Sequence, residues 1–569
     1  MRVNNPETEK FGSFCFVFHS HFPYVRKAGY WPFGEEWVYE GILETYLPML
    51  DMLYRLKEKN ISPKLTFGLT PVLLEQLNDP YMLANFENYL NDRLSRAEMD
   101  CKRFERSGEK KFYALSNFYV NYFKNLQYVY FEKFRRDLVK AFGLLQEEGH
   151  IELLTSAATH AYLPLLNRDS SIQAQIELGV KTYQRHFNRK PRGIWLPECA
   201  YRPGYLNRLG ENESYWKKGI DEFLVANGIE YFITDSHAIE GGSAFWGGKM
   251  MGLYKEILPP KIDYSQKRSA STYFPYLLKS GCIALGRNKE TGLQVWSGEW
   301  GYPGDGNYRE FHKKDSQSGL QYWKITGRDT DLGYKDIYSL DNTIPRVNEN
   351  SDHFNKLVEE LLKNFYANNR EEGVILAPYD TELFGHWWFE GISWIEKVVE
   401  KINANPYVRR RTIGEFVDSV QPPRVIELLE SSWGNGGGHY VWNNPDTEWI
   451  WPYIHASEEE MENVVSEYPD ANGFKLELLQ QAARELVLMQ SSDWPFLITT
   501  GQARDYARER FMEHYQYFKK IIHLIKSNKD DDKAKEILSA IRNKNNPFPD
   551  IDYKTFKRVE PQKLEAVKI

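Results

Sequence analysis

Seven short apolar runs, each followed by polar, Gly or Pro punctuation, constrain this chain more than anything else in it. They are Phe14–Phe18, Lys64–Gly68, Ile151–Thr155, Gly193–Pro197, Glu230–Thr234, Cys282–Gly286 and Val374–Pro378. Runs of this length suit strands buried on both faces. Between several of them apolar residues recur at helical spacing, as in Ile42, Leu43, Tyr46, Leu50, Leu53 and Leu56. Phe354, Leu357, Leu361 and Phe365 repeat the pattern before the last run. Strands alternating with helices imply βαβ units around a parallel sheet. Seven such units predict an α/β fold, an incomplete (β/α)7 barrel.

A chain of 569 residues is too long for one ordinary core. The barrel is expected over residues 1–420, with a helical insertion at about 80–148 and a mobile, Gly- and Met-rich loop at about 237–258. Gln421-Pro422-Pro423 marks a boundary, and a helical C-terminal domain is expected over 421–569. Leu476, Leu479, Ala483 and Leu486 share one helical face there, as do Tyr506, Arg510, Phe511, His514 and Phe518. The Lys-, Asn- and Asp-rich end reads as a loosely held tail.

The net charge is −7 and basic residues form no stripe, which argues against a nucleic-acid partner. No run of about 18 or more apolar residues predicts a membrane span, and the N-terminal segment lacks the pattern of a signal peptide. Four cysteines without metal-ligand spacing suit a reducing cytoplasm. Aromatic residues reach 15%, with 16 Trp. Their usual place is the core, but many here stand beside Gly, Pro and charged residues, where flat rings suit stacking on sugars.

Reacting groups in parallel barrels sit in the loops after the strands. Those exits carry His19-Ser20-His21, Ala158-Thr159-His160, Glu198, Asp235 with His237, Arg287, and Tyr379-Asp380-Thr381-Glu382 with His386. Two carboxylates on separate strand ends meet the requirement for glycosyl transfer through a covalent intermediate. One attacks the anomeric carbon while the other protonates the leaving oxygen, and retention needs them about 5–5.5 Å apart. Two rival readings use the same residues. His19-x-His21 with Asp380 or His160 resembles a zinc constellation, and an aromatic groove without catalysis would bind glucan only.

His19-Ser20-His21-Phe22-Pro23-Tyr24, Ala157-Ala158-Thr159-His160, Trp195-Leu196-Pro197-Glu198-Cys199-Ala200-Tyr201 and the run from Tyr379 to Trp388 resemble the motifs of glycoside hydrolase family 57. Trp433-Gly434 and Gly436–Gly438 complete the set, and the similarity is greatest to the family's 1,4-α-glucan branching enzymes. The resemblance implies an incomplete barrel with Glu198 as nucleophile and Asp380 as proton donor. It places His19, His21 and His160 around the glucose next to the cleavage point. Trp31, Trp37, Trp296, Trp433 and Trp442 become stacking surfaces, and Arg287, Gly304 and Asp493 substrate contacts. The implied partner is an α-1,4-glucan, and no metal or organic cofactor is required. An α-amylase-like hydrolase or a 4-α-glucanotransferase on the same scaffold is the alternative. One departure bears on that choice. The segment Gly247 to Tyr254 lacks the Tyr that the branching enzymes carry at a loop tip, so hydrolysis is expected to rise unless Phe245, Trp246 or Tyr254 substitutes.

Overall fold

The computed structural model describes residues 9–209, 213–242, 268–297, 300–420, 424–559 and 562–563. All seven runs are strands: Gly12–Ser20, Leu65–Leu69, Ile151–Ser156, Gly193–Trp195, Tyr231–Thr234, Ile283–Gly286 and Gly373–Asp380. They are called the first to seventh strands below. The seventh pairs with the first, and the rest follow in chain order to the sixth, every neighbour parallel. The sixth strand is extended by an antiparallel pair, Tyr276–Leu277, instead of pairing with the seventh. Among the described residues, backbone bonds from Asn288 N–H to the Leu376 carbonyl and from Val374 N–H to the Tyr273 carbonyl, both 2.9 Å, cross that gap. The sheet curls into a (β/α)7 barrel without closing fully.

Alternation within the strands explains why each run is apolar throughout. Cys15, Val17, Leu154, Trp195, Tyr231, Ile233, Leu285, Val374 and Leu376 fill the interior. Phe14, Phe16, Phe18, Phe67 and Ile375 belong to the core shared with the surrounding helices. Both faces are dry, as expected of parallel sheets.

Between the second and third strands, helices Pro80–Ser107 and Lys110–Tyr128 lie against each other before Leu138–Glu147 returns the chain to the barrel. Asp79 caps the first of these, accepting the Met82 N–H, and Gly108 ends it in the left-handed conformation. Beyond residue 424 the main elements are helices, Ile450–Glu467, Gly473–Met489, Asp493–Thr500, Arg504–Lys526 and Asp532–Lys544. Among the described residues no helix is long and apolar enough to cross a membrane.

The tail departs from expectation. Phe548, Ile551, Tyr553 and Phe556 are fully buried, pinning residues 548–556 against the helical core. Their burial offsets the ordering entropy that the charged composition alone suggested would win. Most of the loop expected to be mobile, including the segment Gly247 to Tyr254, lies outside the described residues, as do Gln421-Pro422-Pro423.

Candidate active site

The fourth strand delivers Glu198 through a single 3-10 turn, Pro197–Cys199, with Glu198 at φ 61° and ψ 22°. This left-handed conformation is costly for a residue with a Cβ. It persists because a second segment grips the turn. The Trp433 amide donates to the Glu198 carbonyl at 2.9 Å, and Tyr201 and Ser431 exchange two backbone bonds. The Trp433 indole N–H then donates to Glu198 Oε2 at 2.7 Å. Ser492 Oγ donates to Oε1 at 3.2 Å. Burial raises the Glu198 carboxyl to about 7, with the Asp493 charge adding to the rise, while the Trp433 and Ser492 donors oppose it.

The histidines form one stacked block beside it. His19 lies on Trp195 with centroids 4.7 Å apart, and His21 lies on His160 at 3.9 Å. His19 Nε2 and His160 Nε2 are 3.0 Å apart, and His160 Nδ1 meets Ser492 Oγ at 2.8 Å. Burial, then neighbouring histidines, hold His19 and His160 well below the usual imidazole range, so both are neutral at pH 7. Donor counting then fixes a direction. His19 Nδ1 is buried without a hydrogen-bond partner among the described residues. An unmet lone pair costs less than an unmet N–H, so His19 donates from Nε2 to His160. His160 donates from Nδ1 to Ser492, and Ser492 donates to Glu198. The chain of donors ends on the carboxylate.

Asp493 anchors the block from the C-terminal helices. Its carboxylate meets His21 Nε2 at 2.9 Å, while His21 Nδ1 meets Thr70 Oγ1 at 3.0 Å. His21, His160 and Asp493 offer ligand atoms within 4.8 Å of one another. That group differs from the zinc set suggested by the sequence, since it omits His19 and Asp380. All four of its imidazole nitrogens are engaged in hydrogen bonds, so a cation would have to displace them.

Asp380 ends the seventh strand in register with His19. Burial first, then the Glu382 and Glu198 charges, push its carboxyl well above the usual range, against the pull of Arg287. Arg287 itself donates to Asp235 at 2.6 Å in a buried pair. It also lies 6.0 Å from the Trp433 ring centroid. Trp296 completes the wall, 6.4 Å from Trp433 and 6.3 Å from Tyr379.

Other expected contacts lie apart from this cluster. Trp31 is 74% exposed and lines a cleft with Phe33 and Tyr506, whereas Trp37 packs edge-on against Tyr506. Gly304 sits where a side chain would meet the Arg328 guanidinium at 3.5 Å. Trp442 corrects the reading as a stacking surface. It is 1% exposed, lies on Tyr162 at 4.4 Å, and is backed by Gly434. With its ring packed on these neighbours and its edges buried, it presents no surface for a sugar.

Ser492 and Tyr46 are site residues that the sequence reading misses, and Glu382, named there only within the seventh strand's exit, has no role in it, although each touches the cluster. Ser492 adjoins Asp493 and Glu382 adjoins Asp380 by two positions, which was the available signal. Tyr46 gave none, since it sits on an apolar helical face like any core residue.

Trp433→Phe isolates the hydrogen bond to the nucleophile while keeping an aromatic ring. A bond to a charged group contributes about 1.5–3 kcal/mol. Its loss is expected to lower turnover about 10- to 100-fold, with melting temperature little changed. Steady-state kinetics beside a thermal melt checks this, and an unchanged turnover would contradict it.

Comparison with known proteins follows the same division of the chain. Residues 15–429 match the profile of glycosyl hydrolase family 57, and residues 453–556 match that of the 1,4-alpha-glucan branching enzyme C-terminal region. The 1,4-alpha-glucan branching enzyme of Thermococcus kodakarensis is 42% identical over 97% of this chain and 80% of its own length. Its crystal structure superposes with TM-score 0.87, covering 98% of each chain at 41% identity. A family 57 branching enzyme from Pyrococcus horikoshii gives TM-score 0.85 at 42% identity, covering 97% of this chain and 98% of its own. The α-amylase AmyC of Thermotoga maritima gives 0.81 at 29% identity, covering 96% and 99%. With the profile spanning most of the barrel and these relatives spanning nearly all of the chain, this protein belongs to glycosyl hydrolase family 57.

Proposed function

We propose that this chain is a retaining 1,4-α-glucan branching enzyme with Glu198 as nucleophile and Asp380 as acid/base. The observation that carries the reading is the pairing of two partly buried carboxylates in opposite roles. Glu198 receives donors on both oxygens, which favours its ionised form, whereas among the described residues no hydrogen-bond donor to Asp380, only the charge of Arg287, opposes the burial and negative neighbours that favour its protonated form. Environments that push two carboxylates apart assign base and acid.

In the first displacement Glu198 attacks C1 of the glucose next to the cleavage point, and the C1–O4 bond breaks. Asp380 gives its proton to the departing O4. In the second, Asp380 takes the proton of an acceptor 6-hydroxyl, whose oxygen displaces Glu198 and forms an α-1,6 bond. His19, His21, His160, Arg287 and Asp493 are the polar wall for hydroxyls, and Trp296 and Trp433 the rings for sugar faces. Trp31 and Trp37, at the separate cleft with Tyr506, and Gly304, beside Arg328, are outlying contacts for a longer chain. The match of residues 453–556 to the branching-enzyme C-terminal profile supports branching over hydrolysis, and the same helices supply Ser492 and Asp493 to the cluster. Four free cysteines suit a cytoplasmic setting.

Incubation with amylose, following new α-1,6 linkages and new reducing ends together, tests the assignment. Branches are expected to outnumber new reducing ends. Reducing ends without branches would make it a hydrolase.

A further inference from the structure

Glu382 is a partly buried carboxylate to which the double displacement gives no task. It lies two residues past Asp380 in the single turn Thr381–Leu383. Its Oε1 accepts both the Tyr46 hydroxyl and the His21 backbone N–H, the latter at 3.2 Å. Beside it the Ser20 and Thr381 hydroxyls meet at 2.7 Å. Two strand exits, one bearing the histidines and the other Asp380, are thereby tied together.

Tyr46 reaches this point from an unusual backbone. It closes a π-helical turn, Ile42–Tyr46, set between the α-helical segments Glu35–Gly41 and Leu47–Glu58. Turns of this kind recur at functional sites. Here three consecutive side chains grip the segment after Asp380. Glu44 bonds His386 Nδ1 at 2.5 Å, Thr45 donates to the Phe384 carbonyl at 3.0 Å, and Tyr46 donates to Glu382. Gly385, at φ 95°, lies so close that a Cβ would stand 1.9 Å from the Glu44 carbonyl oxygen. The helix and the Asp380 segment are fitted to each other.

We propose that Glu382 is a positioning residue for Asp380. Burial raises the Glu382 carboxyl to about 7, opposed by the Tyr46 and His21 amide donors that hold it. From that pH upward its charge opposes a second negative charge at Asp380 and keeps that acid loaded with its proton. The proton leaves only to the glycosidic oxygen, as the C1–O4 bond breaks. Once Asp380 is ionised, the same repulsion makes it a stronger base toward the acceptor 6-hydroxyl. The charged groups around Asp380 are Glu382, Glu198 and Arg287, and Glu382 outweighs Glu198 among them. Arg287 is shared with Asp235, while Glu382 faces Tyr46 and His21, with Asp493 behind His21. This inference rests on the reading of Asp380 as acid/base.

The test is the pH profile of Glu382→Gln on amylose, beside turnover of α-maltotriosyl fluoride, whose leaving group needs no proton. Removing the charge lets Asp380 ionise earlier, so the alkaline limb of kcat/KM should move down by about one pH unit. KM for amylose should stay put, and fluoride turnover with azide as the acceptor should stay within about twofold of the parent, since that cycle needs neither acid nor base. Tyr46→Phe, which removes only the anchoring hydroxyl, should move the limb the same way by less. An alkaline limb that stays in place in either variant overturns the proposal, as does an equal fall on both substrates. Asp380→Asn separates the two failures. If it loses amylose activity while Glu382→Gln leaves the limb unmoved, only the role of Glu382 falls. If it keeps full activity, the reading of Asp380 falls first.

Discussion

Glu198→Gln is expected to lower both branching and hydrolysis on the order of 10⁴-fold or more, as removal of a covalent nucleophile does elsewhere. The replacement is close to isosteric. Its amide oxygen can still accept the Trp433 indole N–H, and the turn is held through the main chain by the Trp433 amide. Folding and glucan affinity should therefore persist, so that loss of turnover reports chemistry. Reducing-end and branch assays on one sample, with a thermal melt, check it. Activity within a factor of about ten of the parent would remove Glu198 from the role. The unmodified protein offers a companion measurement. Glu198 must be ionised to attack, and burial sets its carboxyl at about 7. The acid limb of kcat/KM should therefore climb as pH rises through about 7, and the alkaline limb should fall only where Asp380, held well above the usual range, loses its proton.

What could be read from the residues alone divides along physical lines. The parallel strands were legible because both faces are buried, which makes each run apolar without interruption. Glu198, Asp380 and the histidines were legible because strand exits in such barrels are where side chains meet. Trp442 misled because its neighbours, Gly, Asn and Pro, look like those of an open loop, and only folding brings Tyr162 over its ring. The packed tail was hidden by its charges, since four apolar side chains decide its fate and their targets lie on distant helices. Ser492 and Tyr46 act through contacts with residues nearly 300 and more than 300 positions away. For Ser492 the only local hint is its neighbour Asp493, and for Tyr46 there is none.

Asp380→Asn tests the other half of the mechanism, and the expected results differ by substrate. An amide keeps the shape but supplies no proton, so turnover of amylose should fall about 10²- to 10⁴-fold, the range of general acid catalysis. α-Maltotriosyl fluoride needs no protonation to depart, so Glu198 should still be glycosylated at a near-normal rate. The second displacement then stalls, because nothing accepts the proton of an acceptor hydroxyl. The covalent glycosyl-enzyme should accumulate, and intact-mass measurement should find one maltotriosyl unit added to the protein. Azide attacks without giving up a proton, so adding it should discharge the adduct and release a maltotriosyl azide of retained configuration. This outcome places both carboxylates in one experiment. The adduct maps to Glu198, and its lifetime reports the missing base. If fluoride and amylose turnover fell together, and azide restored neither, Asp380 would be supporting the fold of the strand exit instead of moving the proton.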